Sequence, residues 1–201
     1  MTKTIYLMRH SIPMKVSYLE DIESVQIINE KCILSIDGER LAEKKSKSLP
    51  KMDKVICSNY VRTIATAKYF AKDNPIYIMK EFKERIQGIT SWDELPKDFE
   101  QRQFNDWDYK IGFGESLNET KERITKGLYK VLNSINNETV LIVSHATALS
   151  CLLSNWCDMN FQEPYIFKEE KIFDGKWCYA ETFKLEFNDK NELISIKNIR
   201  E

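Results

Sequence analysis

Histidine is scarce in this 201-residue chain: only His10 and His145 occur. Two histidines and five dispersed cysteines offer no spacing typical of zinc, so no metal or other cofactor is expected. The cysteines, Cys32, Cys57, Cys151, Cys157 and Cys178, are odd in number and contain no C-x-x-C pair. That fits reduced thiols better than a disulfide framework. No sign of charge dominates either, since 30 basic and 31 acidic residues leave a net charge of -1. Without a long block of like charge, nucleic acid is not an expected partner. No segment is apolar enough to span a bilayer, and the N-terminus enters a strand without the apolar core of a signal peptide. A cytoplasmic location with no membrane partner is the expectation. Repeats and low-complexity linkers are absent, and composition says nothing of oligomeric state. The length suits one domain over residues 1–201, with room for a lid or small subdomain within 85–115.

Short apolar runs alternate with amphipathic segments. Strands are expected at Thr4 to Met8, Val55 to Cys57, Ile76 to Met79 and Val140 to Val143, with two closing strands at Thr182 to Phe187 and Leu193 to Ile199. Helices are expected from Glu39 to Leu49 after an Asp37-Gly38 turn, from Val61 to Lys72, and through Leu149, Leu152 and Leu153. The clearest begins at Ser116, with Glu119 completing a capping box and apolar residues at Leu117, Ile124, Leu128, Val131 and Ile135. Gly127 weakens it slightly. This order implies an α/β fold with parallel strands covered by helices on both faces.

Both histidines stand at strand ends, where the functional residues of open α/β sheets gather. An isolated histidine there is more often structural. Arg9 beside His10, Arg62 at a helix start after Ser58, and Ser144 leading into His145 point instead to a site for a phosphoryl group. The backbone N–H groups of the Ser58 to Thr63 turn are expected to face the same rim. Glu84, just after the third strand, is a candidate acid, with Glu81 as the rival carboxylate. Arg85 either contacts substrate or pairs on the surface. Aromatic residues cluster at Trp92, Phe99, Phe104, Trp107, Tyr109 and Phe113, and again from Trp156 to Tyr179. They either shape a lid or pack an inserted subdomain.

In order, Leu7-Met8-Arg9-His10, Leu34 to Leu49, Ser58-x-x-x-Arg62-Thr63-x-x-Thr66-Ala67, Glu84-x-x-x-Gly88, Gly114-Glu115-Ser116 with Arg123, and Val143-Ser144-His145 resemble the histidine phosphatase superfamily in its phosphoglycerate-mutase-like branch. The resemblance covers most of the chain and implies a three-layer α/β/α sandwich with a mostly parallel central sheet. It implies that His10 accepts the phosphoryl group as a phosphohistidine, that Arg9, Arg62 and His145 surround its oxygens, and that Glu84 is the general acid and base. A small phosphorylated substrate and no metal follow. Ser11 stands where the family usually has glycine, and its hydroxyl could donate to the substrate. Mutases continue with Glu-Ser-x-x-Asn where this chain has Ile12, Pro13 and Val16, which favours phosphatase over mutase. Ala146-Thr147 replaces a pair that is often glycine. A mutase-type phosphoryl transfer, or a non-catalytic phosphate-binding protein on the same fold, are the alternatives.

Overall fold

The computed structural model describes residues 2–15 and 24–199; Val16 lies outside them. Strand β1 (Lys3–Arg9) is followed by helices α1 (Val25–Lys31) and α2 (Ile36–Ser48), strand β2 (Lys54–Cys57), helix α3 (Val61–Ala71) and strand β3 (Ile76–Ile78). A 3-10 turn at Lys80–Phe82, another at Trp92–Glu94 and helix α4 (Phe99–Asn105) precede the long helix α5 (Leu117–Asn133). Strand β4 (Thr139–Ser144), helix α6 (Ala146–Leu153), a hairpin of β5 (Tyr165–Phe167) and β6 (Glu170–Phe173), and strands β7 (Thr182–Phe187) and β8 (Leu193–Asn198) complete the chain.

The main sheet runs β3-β2-β4-β1-β7-β8. Its first four strands are parallel, and β7 and β8 are antiparallel. Because side chains alternate across a strand, the apolar runs feed two cores. Ile5, Leu7, Val140 and Ile142 pack against Ile124, Leu128 and Val131 of α5 and Leu149 and Leu152 of α6. On the opposite face Tyr6, Met8, Leu141 and Val143 meet Ala67, Phe70 and Ala71 of α3. The result is the expected three-layer α/β/α sandwich with a mostly parallel sheet. Among the described residues no helix is long and apolar enough to cross a membrane.

Three local readings need correction. Helix α2 starts at Ile36 rather than Glu39, because the Ser35 side chain caps it by accepting from the Gly38 N–H at 3.0 Å. Asp37-Gly38 is thus the first helical turn, not a turn before it. Gly38 is required there, since a Cβ would lie 2.1 Å from the Ile12 carbonyl oxygen. Helix α1 and the β5–β6 hairpin add to the elements expected from the sequence. The capping box of α5 is present as read, and Gly127 has a packing reason: a Cβ there would meet the Glu81 Cβ at 2.6 Å.

Candidate active site

Register brings the two histidines together. Arg9 of β1 lies opposite Ser144 of β4, and Cys57 of β2 opposite Val143. The next residues, His10, His145 and Ser58, therefore leave the sheet side by side. Pairing continues one step past the strands, with His10 N–H donating to the Ser144 carbonyl at 2.9 Å and Ser58 N–H to the Val143 carbonyl at 3.2 Å. The imidazole centroids are 5.2 Å apart and edge to face.

Arg62 joins them. Its Nε donates to His10 Nε2 at 2.9 Å and its Nη2 to His145 Nδ1 at 2.9 Å, while Nη1 donates to the Asn29 carbonyl of α1. A guanidinium has no acceptor, so both contacted ring nitrogens carry lone pairs. The other nitrogens are then the protonated ones. His10 Nδ1–H donates to the Ser11 carbonyl at 2.7 Å, and His145 Nε2–H to Ser58 Oγ at 2.8 Å. Burial, reinforced by Arg62, holds both imidazoles well below their ordinary pKa, so both rings are neutral. Burial also lowers the Arg62 pKa, and the negative charge of Glu84 opposes that shift.

The spacing of the Ser58-Arg62-Thr63-Thr66 motif now has a mechanical meaning. Ser58 fixes His145, and Thr63 Oγ1 lies 2.8 Å from Ser58 Oγ. Thr66 Oγ1 donates to the Arg62 carbonyl at 2.8 Å and accepts the Ser11 N–H at 3.0 Å. Part of the expected rim of backbone donors is used within the fold, since the N–H groups of Ser58, Tyr60 and Thr63 are bonded internally, and the Arg62 side chain supplies the donors that reach the histidines. Ser11 also differs from expectation. Its hydroxyl donates to the Gly38 carbonyl at 2.7 Å, so it positions His10 through its own carbonyl and offers nothing to a ligand.

Arg9 donates from Nη1 to the Trp177 carbonyl at 2.6 Å and lies 4.2 Å above the Tyr179 ring. Glu84 is anchored on one oxygen only: Oε1 accepts from the N–H of Arg85 at 2.9 Å and of Ala148, in the first turn of α6, at 3.0 Å. A helix N-terminus favours a carboxylate. Glu81, the rival, pairs instead with Lys130 at 2.5 Å on the outer surface. Arg85 is not a surface residue; it is buried, and its Nη2 donates to Gln87 Oε1 at 2.5 Å. Asn29 carries no sequence signal for the site, whereas Tyr60 belongs to the Ser58 to Thr63 turn and Trp177 and Tyr179 to the second aromatic cluster. Asn29 and Trp177 act through main-chain carbonyls, which carry no sequence signature.

A sequence model of the histidine phosphatase superfamily (branch 1) matches residues 5–171. The chain belongs to this superfamily. Both histidines, Arg9, Arg62 and Glu84 lie within the matched span. Two proteins named 6-phosphofructo-2-kinase/fructose-2,6-bisphosphatase, from Caenorhabditis elegans and Aquarana catesbeiana, are each 26% identical in a 177-residue alignment that covers 82% of this chain. The chain spans only about a third of their length, 36% and 35%. Among solved structures, a phosphoserine phosphatase variant from Entamoeba histolytica in complex with phosphoserine matches with a TM-score of 0.69 and 16% identity, covering 97% of this chain and 96% of that one. The alpha-ribazole phosphatase from Shigella flexneri matches at 0.67 and 20% identity, over 98% and 96%. Both are similar in fold.

Proposed function

We propose that the protein is a metal-independent phosphomonoesterase working through a phosphohistidine on His10. The observation that carries this reading is the Arg62 guanidinium spanning two neutral imidazoles, with His10 Nδ1–H held by the Ser11 carbonyl. That tautomer puts the nucleophilic lone pair on Nε2. In the first displacement His10 Nε2 forms a bond to phosphorus, the ester P–O bond breaks, and the leaving alkoxide takes a proton from Glu84. In the second, water attacks phosphorus, gives its proton to Glu84, and the P–N bond breaks to restore neutral His10. Arg9 and Arg62 stabilise charge on the phosphoryl oxygens, which is usually the largest catalytic contribution, while His145, with its one N–H spent on Ser58, holds the Arg62 guanidinium in place rather than touching those oxygens as the resemblance implied. Splitting the hydrolysis through a covalent intermediate makes each step easier.

The phosphatase names carried by the relatives support hydrolysis over transfer. So does the stretch after Ser11. Ile12 and Pro13 offer no polar side chain to a second phosphorylated ligand, and their backbone is tied down by the Ser35 N–H at 3.0 Å and by a bridge to Leu34. The proposal extends to a cytoplasmic location, which the free state of all five cysteines supports. The test is phosphate release from a panel of phosphomonoesters in chelator, wild type against His10→Ala, with mass spectrometry for an adduct on His10. Release that persists in chelator and disappears in the variant, with the adduct, is expected. Release unaffected by His10→Ala overturns the mechanism, and tight phosphate binding without any turnover favours the non-catalytic reading.

A further inference from the structure

Arg9 is held without an ion pair. Its Nη1 donates to the Trp177 carbonyl at 2.6 Å, and its guanidinium carbon lies 4.2 Å from the centre of the Tyr179 ring. Its Nε is shut off from solvent and has no hydrogen-bond partner. The same ring stands 6.0 Å from the His10 imidazole, tilted by 44°. Tyr179 is nevertheless 39% exposed, so its outer face is in water while its inner face meets the cation and the nucleophile. Core packing is therefore not what places it.

A tight turn presents the ring. Glu181 N–H donates to the Cys178 carbonyl at 3.3 Å, closing a four-residue turn with Tyr179 and Ala180 at its centre. Ala180 has φ 56°, a left-handed backbone that such turns usually give to glycine, because a Cβ is crowded there. Strain of this kind persists only where the surroundings over-determine it, and it gathers at functional sites. The bonds around Ala180 and Glu181 supply that constraint. Ala180 N–H donates to the His10 carbonyl at 3.3 Å, and the Glu181 carbonyl accepts the Arg9 N–H at 3.0 Å. The Glu181 carboxylate accepts from the Cys178 N–H at 3.3 Å and from Asn198 Nδ2 at 2.7 Å. Upstream, the Trp177 ring packs on Phe173 and Phe183, with centroids 5.1 and 5.2 Å away, and its Nε1 donates to Ser150 Oγ at 2.8 Å. The Trp177 carbonyl and the Tyr179 ring are thus both fixed relative to the main chain of His10.

We infer that Tyr179 is a positioning residue for the reaction: with the Trp177 carbonyl it clamps Arg9 so that the guanidinium edge bearing Nε and Nη2 faces the phosphoryl group on His10. This rests on the phosphatase reading and adds a residue to it. A carboxylate would fix Arg9 as firmly, but its charge would cancel the field that the phosphoryl oxygens need. A carbonyl dipole and a ring face hold the cation with no net charge, and Arg9 stays fully positive. The stacked face is not the hydrogen-bonding edge, so ring and substrate do not compete for it. Fixing the long side chain beforehand also spares rotamer freedom that would otherwise be lost on binding.

The experiment measures kcat/KM for para-nitrophenyl phosphate, and the affinity for inorganic phosphate by calorimetry. The proteins are wild type, Tyr179→Phe, Tyr179→Leu, Arg9→Gln, and Arg9→Gln with Tyr179→Leu. Leucine keeps apolar bulk without the π face, and phenylalanine keeps the face. Tyr179→Leu should lower kcat/KM about tenfold, Tyr179→Phe should stay within about twofold of wild type, and Tyr179→Leu should change little once Arg9 is gone. A loss that is the same with and without Arg9 overturns the inference, because an effect on the fold or directly on His10 would persist without the cation. Wild-type turnover in Tyr179→Leu overturns it too, as does an equal loss in Tyr179→Phe, which assigns the role to the hydroxyl. All three of these results leave the phosphatase reading intact. Where turnover is too slow to measure, the same cycle on phosphate affinity decides. Should Tyr179→Leu fail to fold, Tyr179→Asn, which suits a turn, replaces it in every arm. No turnover and no phosphate binding in wild type overturns both readings.

Discussion

Arg123 and Glu115 meet edge to edge, Nε to Oε1 at 2.8 Å and Nη2 to Oε2 at 2.7 Å, with both side chains mostly buried. The same guanidinium donates through Nη1 to the carbonyls of Glu81 and Lys83, and Nη2 reaches the Glu84 carbonyl at 3.4 Å. The pair therefore clamps the loop that presents Glu84. Arg123→Met should release it and leave Glu115 with only Lys83 at 3.4 Å and the Ile86 N–H at 3.0 Å, costing about 1–3 kcal/mol of stability. Turnover should fall more for esters with poor leaving groups, which need proton donation, than for nitrophenyl phosphate. A uniform fall across leaving groups would argue that Arg123 only stabilises the fold.

Glu84→Gln is the cleaner probe of the acid. The amide oxygen can keep the contacts to the Arg85 and Ala148 N–H groups, so the loop should stay in place while the titratable proton is lost. Turnover should drop by about 10²–10⁴-fold, with inorganic phosphate still bound competitively. If turnover survives at wild-type level, the proton comes from elsewhere.

What could be read ahead of the structure was local. The Ser116 capping box, the apolar strand runs and the Ser58-Arg62 spacing carry their information in neighbouring residues. The β5–β6 hairpin does not. Its turn places Lys168 and Glu169 at φ 50° and 70°, a left-handed pair usually signalled by Asn-Gly, and here by nothing in the residue types. Helix α1 is a single short segment with one buried residue, Val25, too little periodicity to detect. The burial of Arg85 was equally hidden, because its wall is assembled from α4, α6 and the segment around Trp177.

The neutral histidines make a prediction about acid. Free imidazole titrates near 6.5, and burial with Arg62 holds His10 and His145 well below that in the folded state. Below pH 6.5 the unfolded chain takes up protons that the native site refuses. The stabilisation is thus complete above 6.5 and declines as pH falls, by at most about 1.4 kcal/mol per pH unit for each histidine. Urea midpoints between pH 8 and 5 should fall with this sense for wild type and more gently for His145→Gln. The acid limb of kcat/KM should likewise lie below the 6.5 of free imidazole, because His10 stays a competent nucleophile there. A midpoint that rises on acidification would mean that the histidines are charged in the native state.

Gly38→Ala inverts the usual helix rule. In an exposed helix interior the change is worth about 1 kcal/mol in favour of alanine. At Gly38 the new methyl would sit 2.1 Å from the Ile12 carbonyl oxygen, a main-chain atom that is also held by Ser35 N–H at 3.0 Å and cannot simply turn aside. The first turn of α2 and the Ser11-Ile12 segment must separate, at a cost of about 1–3 kcal/mol. Because Ser11 donates to the Gly38 carbonyl and its own carbonyl holds His10 Nδ1, that separation tilts the nucleophile. Thermal unfolding and turnover should therefore decline together in Gly38→Ala. Added stability with unchanged turnover would show that the loop after His10 can give way freely, and that Ser11 does not set the ring.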